Sequence, residues 1–258
     1  MTVLSFRQFH DEHLLQDIPL SVSIGVFDGV HRGHQLLIHS ICSKTDTKSA
    51  VVTFEQNPKS FLHADTYPGD ITTKHQKLKL LETFCLDYVI MIRFDTSFSM
   101  LSGETFLSML AEHSRILHAV VGENFHCGRG GRFSSAEVKD FLSTKGIDVE
   151  IIPSLLYDGI HTVSSTQIRQ YVLSGDFHAV KRLMNRAYSL DTAEIPQYQR
   201  EDAMYISTEH VSQPLPPPGR YRVTCIRGLQ EDICDILIGN DSIIIPSAEP
   251  AEELVFEF

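Results

Sequence analysis

No stretch of the chain is rich in lysine or arginine, and acidic residues outnumber basic ones 33 to 22, for a formal net charge of −11. Proteins that track a nucleic-acid backbone carry a basic stripe, so no nucleic-acid partner is expected. Phosphate binding stays open, because backbone N–H donors and a few local cations suffice for it. No apolar run is long enough to span a bilayer, and no secretory pattern opens the chain. No membrane partner is expected, and the cytoplasm is the expected compartment. The five cysteines, at 42, 85, 127, 225 and 234, are odd in number and lack C-x-x-C spacing. That excludes a disulfide framework and a zinc ribbon and predicts reduced thiols, some of them in the core. Three catalytic signatures are also missing: the phosphate loop G-x-x-x-x-G-K-[ST], the nucleophile elbow G-x-S-x-G and the zinc helix H-E-x-x-H. Gly128-Arg129-Gly130 does not continue into G-x-G-x-x-G, which removes the dinucleotide fingerprint.

What the chain has is enough apolar mass, 42% of 258 residues, to bury a sizeable core. Its first two thirds alternate two periodicities. Strands are predicted at 21–27 (SVSIGVF), 50–54 (AVVTF), 88–92 (YVIMI), 117–121 (LHAVV) and 149–152. Helices are predicted at 34–42, 74–84, 105–112 behind a Ser102 cap, 135–145, 165–173 and 176–183. Such alternation implies right-handed βαβ units and a parallel sheet. Ligands of such sheets bind at the carboxyl ends of the strands near a switch in strand order, so the loops after Phe27, Phe54 and Val121 should share one crevice. Beyond about residue 190 helical periodicity is lost. A polar stretch leads to the Pro-rich run 214–218 (PLPPP), then short strands are predicted at 221–226, 234–238 and 242–245, with turn signals at Gly228 and Gly239-Asn240. The expected fold class is α/β, a parallel-sheet domain over 1–188 followed by a small, mostly β domain over 189–258.

Three segments could carry chemistry. In 25–35 (GVFDGVHRGHQ) a strand end runs through a Gly-punctuated loop into a helix opened by His31 and His34. A helix N-terminus presents unpaired N–H groups and roughly half a positive charge. Gly33, without a Cβ, lets a phosphate approach the backbone. Two histidines at this spacing either cap and pack the loop or reach a phosphate resting on the helix end. A zinc site would need a third ligand, and none is evident. In 164–169 (SSTQIR) Ser164, Ser165 and Thr166 precede Arg169 by about one helical turn. This is either an ordinary cap with a surface arginine or a phosphate cradle with a bidentate guanidinium. In 121–131 (VGENFHCGRGG) Asn124 follows a strand end, Phe125 offers a stacking face, and glycines allow close approach. A mobile surface loop accounts for it equally well.

Taken together and in order, GVFDGVHRGHQ, VVTFEQNP, IRFDTSFSMLSGETFL, VGENFHCGRGG and VSSTQIRQYVLSGDFHAVKRLMNRAY resemble the bacterial FAD synthetases. These are bifunctional proteins with an FMN adenylyltransferase module and a riboflavin kinase module. The resemblance runs from about residue 20 to 188. It implies a Rossmann-like nucleotidylyltransferase fold and transfer of AMP from ATP to FMN, giving FAD and pyrophosphate, with Mg2+ accompanying ATP. By the same resemblance His31, His34, Asn124 and Arg169 would be catalytic. Gly25, Phe27, Asp28, Gly33, Ser164, Ser165 and Thr166 would bind ATP. Phe54, Asn57, Asn124 and Phe125 would bind the flavin. No protein ligand of the metal is identified.

Two departures qualify the resemblance. The family shows T-F-x-P-H-P where this chain has Thr53-Phe54-Glu55-Gln56-Asn57-Pro58, so Asn57 stands where a histidine donor is usual. The kinase module's G-x-P-T-x-N segment does not occur after Tyr188, although Pro218-Gly219-Arg220-Tyr221 resembles a later strand of that module. The tail therefore reads as a shortened kinase module, and no riboflavin kinase activity is expected. Two other functions remain open: adenylyl transfer to another phosphorylated acceptor, and non-catalytic binding of flavin or nucleotide.

Overall fold

The computed structural model describes residues 1–257. Its contacts divide the chain into two compact units. The first holds Met1–Asp65 and Lys77–Leu156; the second holds Thr66–Gln76 and everything from Tyr157 onward.

In the first unit β1 (Thr2–Ser5) leads through α1 (Phe6–Asp11) into β2 (Leu15–Ile24), α2 (Arg32–Cys42) and β3 (Lys48–Phe54). Then come α3 (Pro58–Leu62), α4 (Lys74–Glu82, whose first residues belong to the second unit), β4 (Tyr88–Ile92) and α5 (Thr96–Ser99). α6 (Gly103–Glu112), β5 (Ser114–Gly122), the small hairpin of β6 (His126–Cys127) and β7 (Phe133–Ser134), α7 (Ser135–Thr144) and β8 (Asp148–Ile152) complete it.

The sheet runs β1–β4–β3–β2–β5–β8, and every pairing in it is parallel. Alternate residues feed opposite faces, as a strand's period of two requires. Val51, Val89, Met91 and Val120 pack with Leu37, Ile38 and Ile41 of α2 and Leu81 of α4. Ala50, Val52, Ile90, Ile92 and Val121 pack with Phe106, Leu107 and Leu110 of α6 and Val138 and Leu142 of α7. Helices therefore cover both faces, which is why these strands read as continuous apolar runs. The expected Rossmann-like α/β class is what the structure has. After β2 the chain builds outward through β3 and β4, then returns to the other side of β2 as β5. The switch in strand order lies between β2 and β5.

Local signals fix the helix ends. Ser102 accepts a hydrogen bond from the Thr105 N–H, and Ser134 and Glu137 form a reciprocal capping box on α7.

The second unit contains α8 (Ser165–Ser174), α9 (Phe177–Met184) and seven strands: β9 (Ser189–Asp191), β10 (Gln197–Arg200), β11 (Ala203–Ser207), β12 (Gly219–Arg227), β13 (Gln230–Ile238), β14 (Ser242–Ile245) and β15 (Glu253–Phe256). They form an antiparallel sheet ordered β10–β11–β14–β13–β12–β15–β9. Its buried side includes Ile206, Val223, Ile236, Ile243 and Leu254. Phe177 of α9 stacks on Phe256 at 4.4 Å between ring centroids, so this helix packs onto the strands. Three of these strands match the expected ones. β9, β10, β11 and β15 had no counterpart in the sequence reading. Each is three to five residues long, too short for a periodicity to stand out, and β10 (QYQR) is almost entirely polar.

Candidate functional site

The loop leaving β2 is held in a conformation its sequence would not choose alone. Phe27 and Val30 have φ of 52° and 36°, and Gly29 has 77°. For a β-branched residue a positive φ is a true outlier, costing on the order of 1–3 kcal/mol, and it persists only where surroundings enforce it. The enforcement is visible. The Gly25 N–H donates to the Val52 carbonyl at 3.0 Å. Thr53 Oγ1 donates to the Val26 carbonyl at 2.8 Å. Gln35 Nε2 donates to the Val30 carbonyl at 3.0 Å. Lys77, only 2% exposed, reaches from α4 with its ammonium and donates to the carbonyls of Phe54 at 2.7 Å and Val26 at 3.3 Å. One buried cation thus ties together the loops after β2 and β3. A charge is buried only where such partners are supplied. No local pattern signals this role, because Lys77 looks like one more polar residue in an amphipathic helix.

His31 and His34 meet at the start of α2. His31 is the N-cap, and its Nδ1 accepts from the His34 N–H at 3.3 Å. An accepting Nδ1 puts the ring proton of neutral His31 on Nε2, where it can be donated. The two rings stack at 3.6 Å with 16° between planes, and Phe27, fully buried, lies 5.1 Å from His34. Capping and ligand binding, the alternatives left by the sequence, are therefore compatible: the cap is what orients the ring. Asp28, 3% exposed, belongs to the same loop, and Gly33 sits in the first turn of α2.

The remaining candidates of this unit lie on neighbouring strand ends. Phe54 closes β3 and meets Phe94 and Phe98 edge-on at 5.8 and 6.0 Å. Asn57 caps α3, its Oδ1 accepting from the Lys59 N–H at 3.1 Å, with Pro58 in the first helical position. Asn124 follows β5 and donates through Nδ2 to Ser154 Oγ at 2.7 Å. Phe125 is half-buried against the core beneath α6 and α7.

In the second unit Ser164 caps α8 by accepting from the Gln167 N–H at 3.2 Å. Ser165 and Thr166 follow in its first turn. Arg169 is 6% exposed, not the surface arginine of the blander sequence reading. Its Nε donates to the Gly69 carbonyl at 2.8 Å and its Nη2 to Tyr67 Oη at 2.5 Å.

Among the described residues no cluster of three His, Cys, Asp or Glu side chains is placed to hold a metal ion, and no helix is long and apolar enough to cross a membrane. The cysteines are free thiols. Burial pushes Cys127 and Cys225 up to about 12, so neither supplies a thiolate near neutral pH.

A family model described as FAD synthetase matches residues 15–167. A bifunctional riboflavin kinase/FMN adenylyltransferase of Buchnera aphidicola subsp. Schizaphis graminum is 32% identical over 174 residues, covering 66% of this chain and 56% of that protein. Its Escherichia coli K12 counterpart is 28% identical over 173 residues, covering 66% and 55%. The Bacillus subtilis counterpart is 27% identical over 224 residues, covering 83% and 70%. The chain thus spans little more than half the length of the first two relatives. A solved Streptococcus pneumoniae structure described as a macrolide-efflux protein superposes with a TM-score of 0.80 at 18% identity, over 99% of this chain and 89% of that one. At that identity the likeness establishes a shared fold.

Proposed function

Since the chain belongs to the FAD synthetase family, we propose that it transfers the adenylyl group of ATP to FMN, yielding FAD and pyrophosphate. The observation that carries this reading is the stacked His31–His34 pair on the N-terminus of α2, in the loop that leaves β2 next to the strand-order switch.

A phosphate oxygen of FMN attacks the α-phosphorus of ATP. The bond from that phosphorus to the bridging oxygen breaks, and pyrophosphate leaves. The attacking oxygen is already anionic at neutral pH, so neither a general base nor a covalent enzyme intermediate is needed. What is needed is alignment of two polyanions and relief of charge in the transition state. The Nε2–H of His31, the His34 ring and the helix N-terminus supply donors and positive field to the phosphoryl oxygens. Gly25, Phe27, Asp28 and Gly33 shape the nucleotide side of this loop. Phe54, Asn57, Asn124 and Phe125 serve the flavin, Asn124 also the joined phosphates. In the second unit Ser164, Ser165, Thr166 and Arg169 contact phosphate.

Mg2+ keeps most of its water and binds largely through substrate phosphates, which suits a chain without a clustered ligand set among its described residues. The ion would enter on ATP and offset triphosphate charge. We further assign the activity to residues 1–188 in the cytoplasm, with 189–258 a shortened relative of the kinase module.

The test is to incubate the purified chain with ATP, Mg2+ and FMN and separate the flavins chromatographically. FAD and pyrophosphate should appear in equal amounts. Unchanged FMN alongside adenylylation of another phosphorylated acceptor would sink the proposal in favour of a different substrate. ATP binding with no transfer at all would favour a binding protein.

A further inference from the structure

Segment Thr66–Gln76 is distant in sequence from the C-terminal strands, yet it is part of the second unit. Its attachments are specific. Gln213, 3% exposed, lies in the Pro-rich connection between β11 and β12. Its Nε2 donates to the Ile71 carbonyl at 2.9 Å, to Gln76 Oε1 at 3.1 Å and to the Ser189 carbonyl at 3.0 Å. Its Oε1 accepts from the Asp191 N–H at 2.7 Å. Gln76 in turn donates to Ser189 Oγ and to Glu253 Oε1, and Thr73 donates to Asp191 Oδ2 at 2.5 Å. The later half of the segment is therefore pinned, through Ile71 to Gln213 and through Thr73 and Gln76 to β9 and β15.

The other side of the same segment holds Arg169. The guanidinium lies over the Tyr67 ring, 4.9 Å from its centroid, and donates to Tyr67 Oη and to the Gly69 carbonyl. The Tyr67 hydroxyl in turn donates a hydrogen bond to Asp70 Oδ1 at 2.5 Å. Gly69 sits at φ +104°, and a Cβ there would collide with the Ser212 carbonyl. Only glycine lets the segment lie this close to the Ser212–Gln213 backbone. Contacts thus run from the C-terminal strands to segment 66–76, both directly and through Gln213, and from the segment to Arg169.

We propose that the C-terminal strands serve the nucleotide reaction by positioning Arg169 through this strap, with Gln213 and Tyr67 as the positioning residues. The proposal rests on the reading of Arg169 as a phosphate ligand. It gives the tail a role that needs no kinase chemistry. A guanidinium is a rigid fork, and its value to a triphosphate depends on its angle as well as its charge. Arg169 spends two donors and one face on the strap, so the strap sets that angle. Tyr67 contributes stacking and an acceptor; Gln213 keeps Tyr67 and Gly69 where Arg169 finds them.

The experiment uses the full chain and reads ATP affinity by titration calorimetry, with FAD synthesis followed separately. Gln213→Glu keeps the acceptor for Asp191 but loses the donors to Ile71, Gln76 and Ser189. Tyr67→Phe keeps the ring and loses the hydroxyl. Each should weaken ATP binding about fivefold to twentyfold, with the far-UV spectrum unchanged and the KM for FMN within twofold. The decisive measurement is a double-mutant cycle with Arg169→Lys. If the strap acts through Arg169, either strap substitution should cost little further affinity in that background. Wild-type ATP affinity in both variants, or full additivity with Arg169→Lys, overturns the inference. Because binding is the readout, a chain that binds ATP but makes no FAD would overturn the proposed function and leave this test standing.

Discussion

His34 is not the helix cap; that role falls to His31, whose Nδ1 takes the His34 N–H. Removing the His34 ring therefore leaves the first turn of α2 closed and removes a stacking partner and a donor. Its interactions should count most when charge builds on the transferring phosphoryl group, where one lost donor costs about a hundred- to thousandfold in turnover. For His34→Ala the expected result is a kcat lowered by that order with the KM for ATP changed only a few-fold. Steady-state kinetics at saturating FMN check this. A raised KM with kcat intact would mean that the ring binds the ground state and transition state equally. Asn57 is a different case. The family's histidine is absent here, but the side chain present caps α3 through Oδ1, a duty asparagine performs well at this position.

Between residue and fold stand the tethers that join one element to the next. Asp87, just before β4, accepts from Lys48 Nζ and from the Ser49 N–H, both at 2.9 Å, and from Ser49 Oγ at 3.1 Å. It thereby fastens the start of β3 to the start of β4. Burial alone would raise this carboxyl, but the Ser49 and Lys48 hydrogen bonds outweigh it and hold the group below its ordinary value. A carboxyl lowered in the folded state stabilises fully above its unfolded pKa of about 3.9, and that stabilisation fades as pH falls toward the folded value. Asp87→Asn should therefore unfold more easily than wild type at pH 7, with the gap in urea midpoint closing as the pH drops below about 4. A constant gap across that range would mean that the tether is not electrostatic. The elements joined in this way were largely legible in the sequence. β4 starts and ends where the Tyr-Val-Ile-Met-Ile run does, and the Ser102 cap stands where expected. The β2–loop–α2 succession is as expected but its bounds differ: β2 ends at Ile24 rather than Phe27, because Phe27 and Val30 take positive φ in the loop, and α2 begins at Arg32 rather than His34. Local periodicity and caps determine such features, so a local pattern reveals them. Lys77, Gln213 and Tyr67 were illegible for the converse reason. Each acts on a partner at least 23 residues away in the chain, Lys77 on Phe54, Gln213 on Ser189 and Tyr67 on Arg169. No local pattern announces such a contact.

At the scale of the whole molecule the open matter is the C-terminal sheet, because the bifunctional relatives match only 66% of this chain and the family model ends at residue 167. A phosphoryl-transfer site needs a nucleotide cradle, a metal position and an oriented nucleophile in one place. Residues 189–218, where the family's G-x-P-T-x-N segment would fall, contain no glycine. That interval is instead occupied by β9, β10, β11 and the Pro-rich connection carrying Gln213. Three of its polar side chains are engaged in structural bonds: Gln197 donates to the Thr192 and Ala251 carbonyls, Thr192 to the Ala251 carbonyl, and Asp191 accepts from Thr73. A phosphate cradle would exploit the backbone freedom of glycine, and strands paired edge to edge use the N–H groups such a cradle would have to present. This chain is therefore expected not to phosphorylate riboflavin. With riboflavin, ATP and Mg2+, chromatography should return riboflavin unchanged under conditions where FMN is converted to FAD. FMN formed from riboflavin at a rate that persists through successive purification steps would show that this sheet, despite its different loop, still assembles a kinase site.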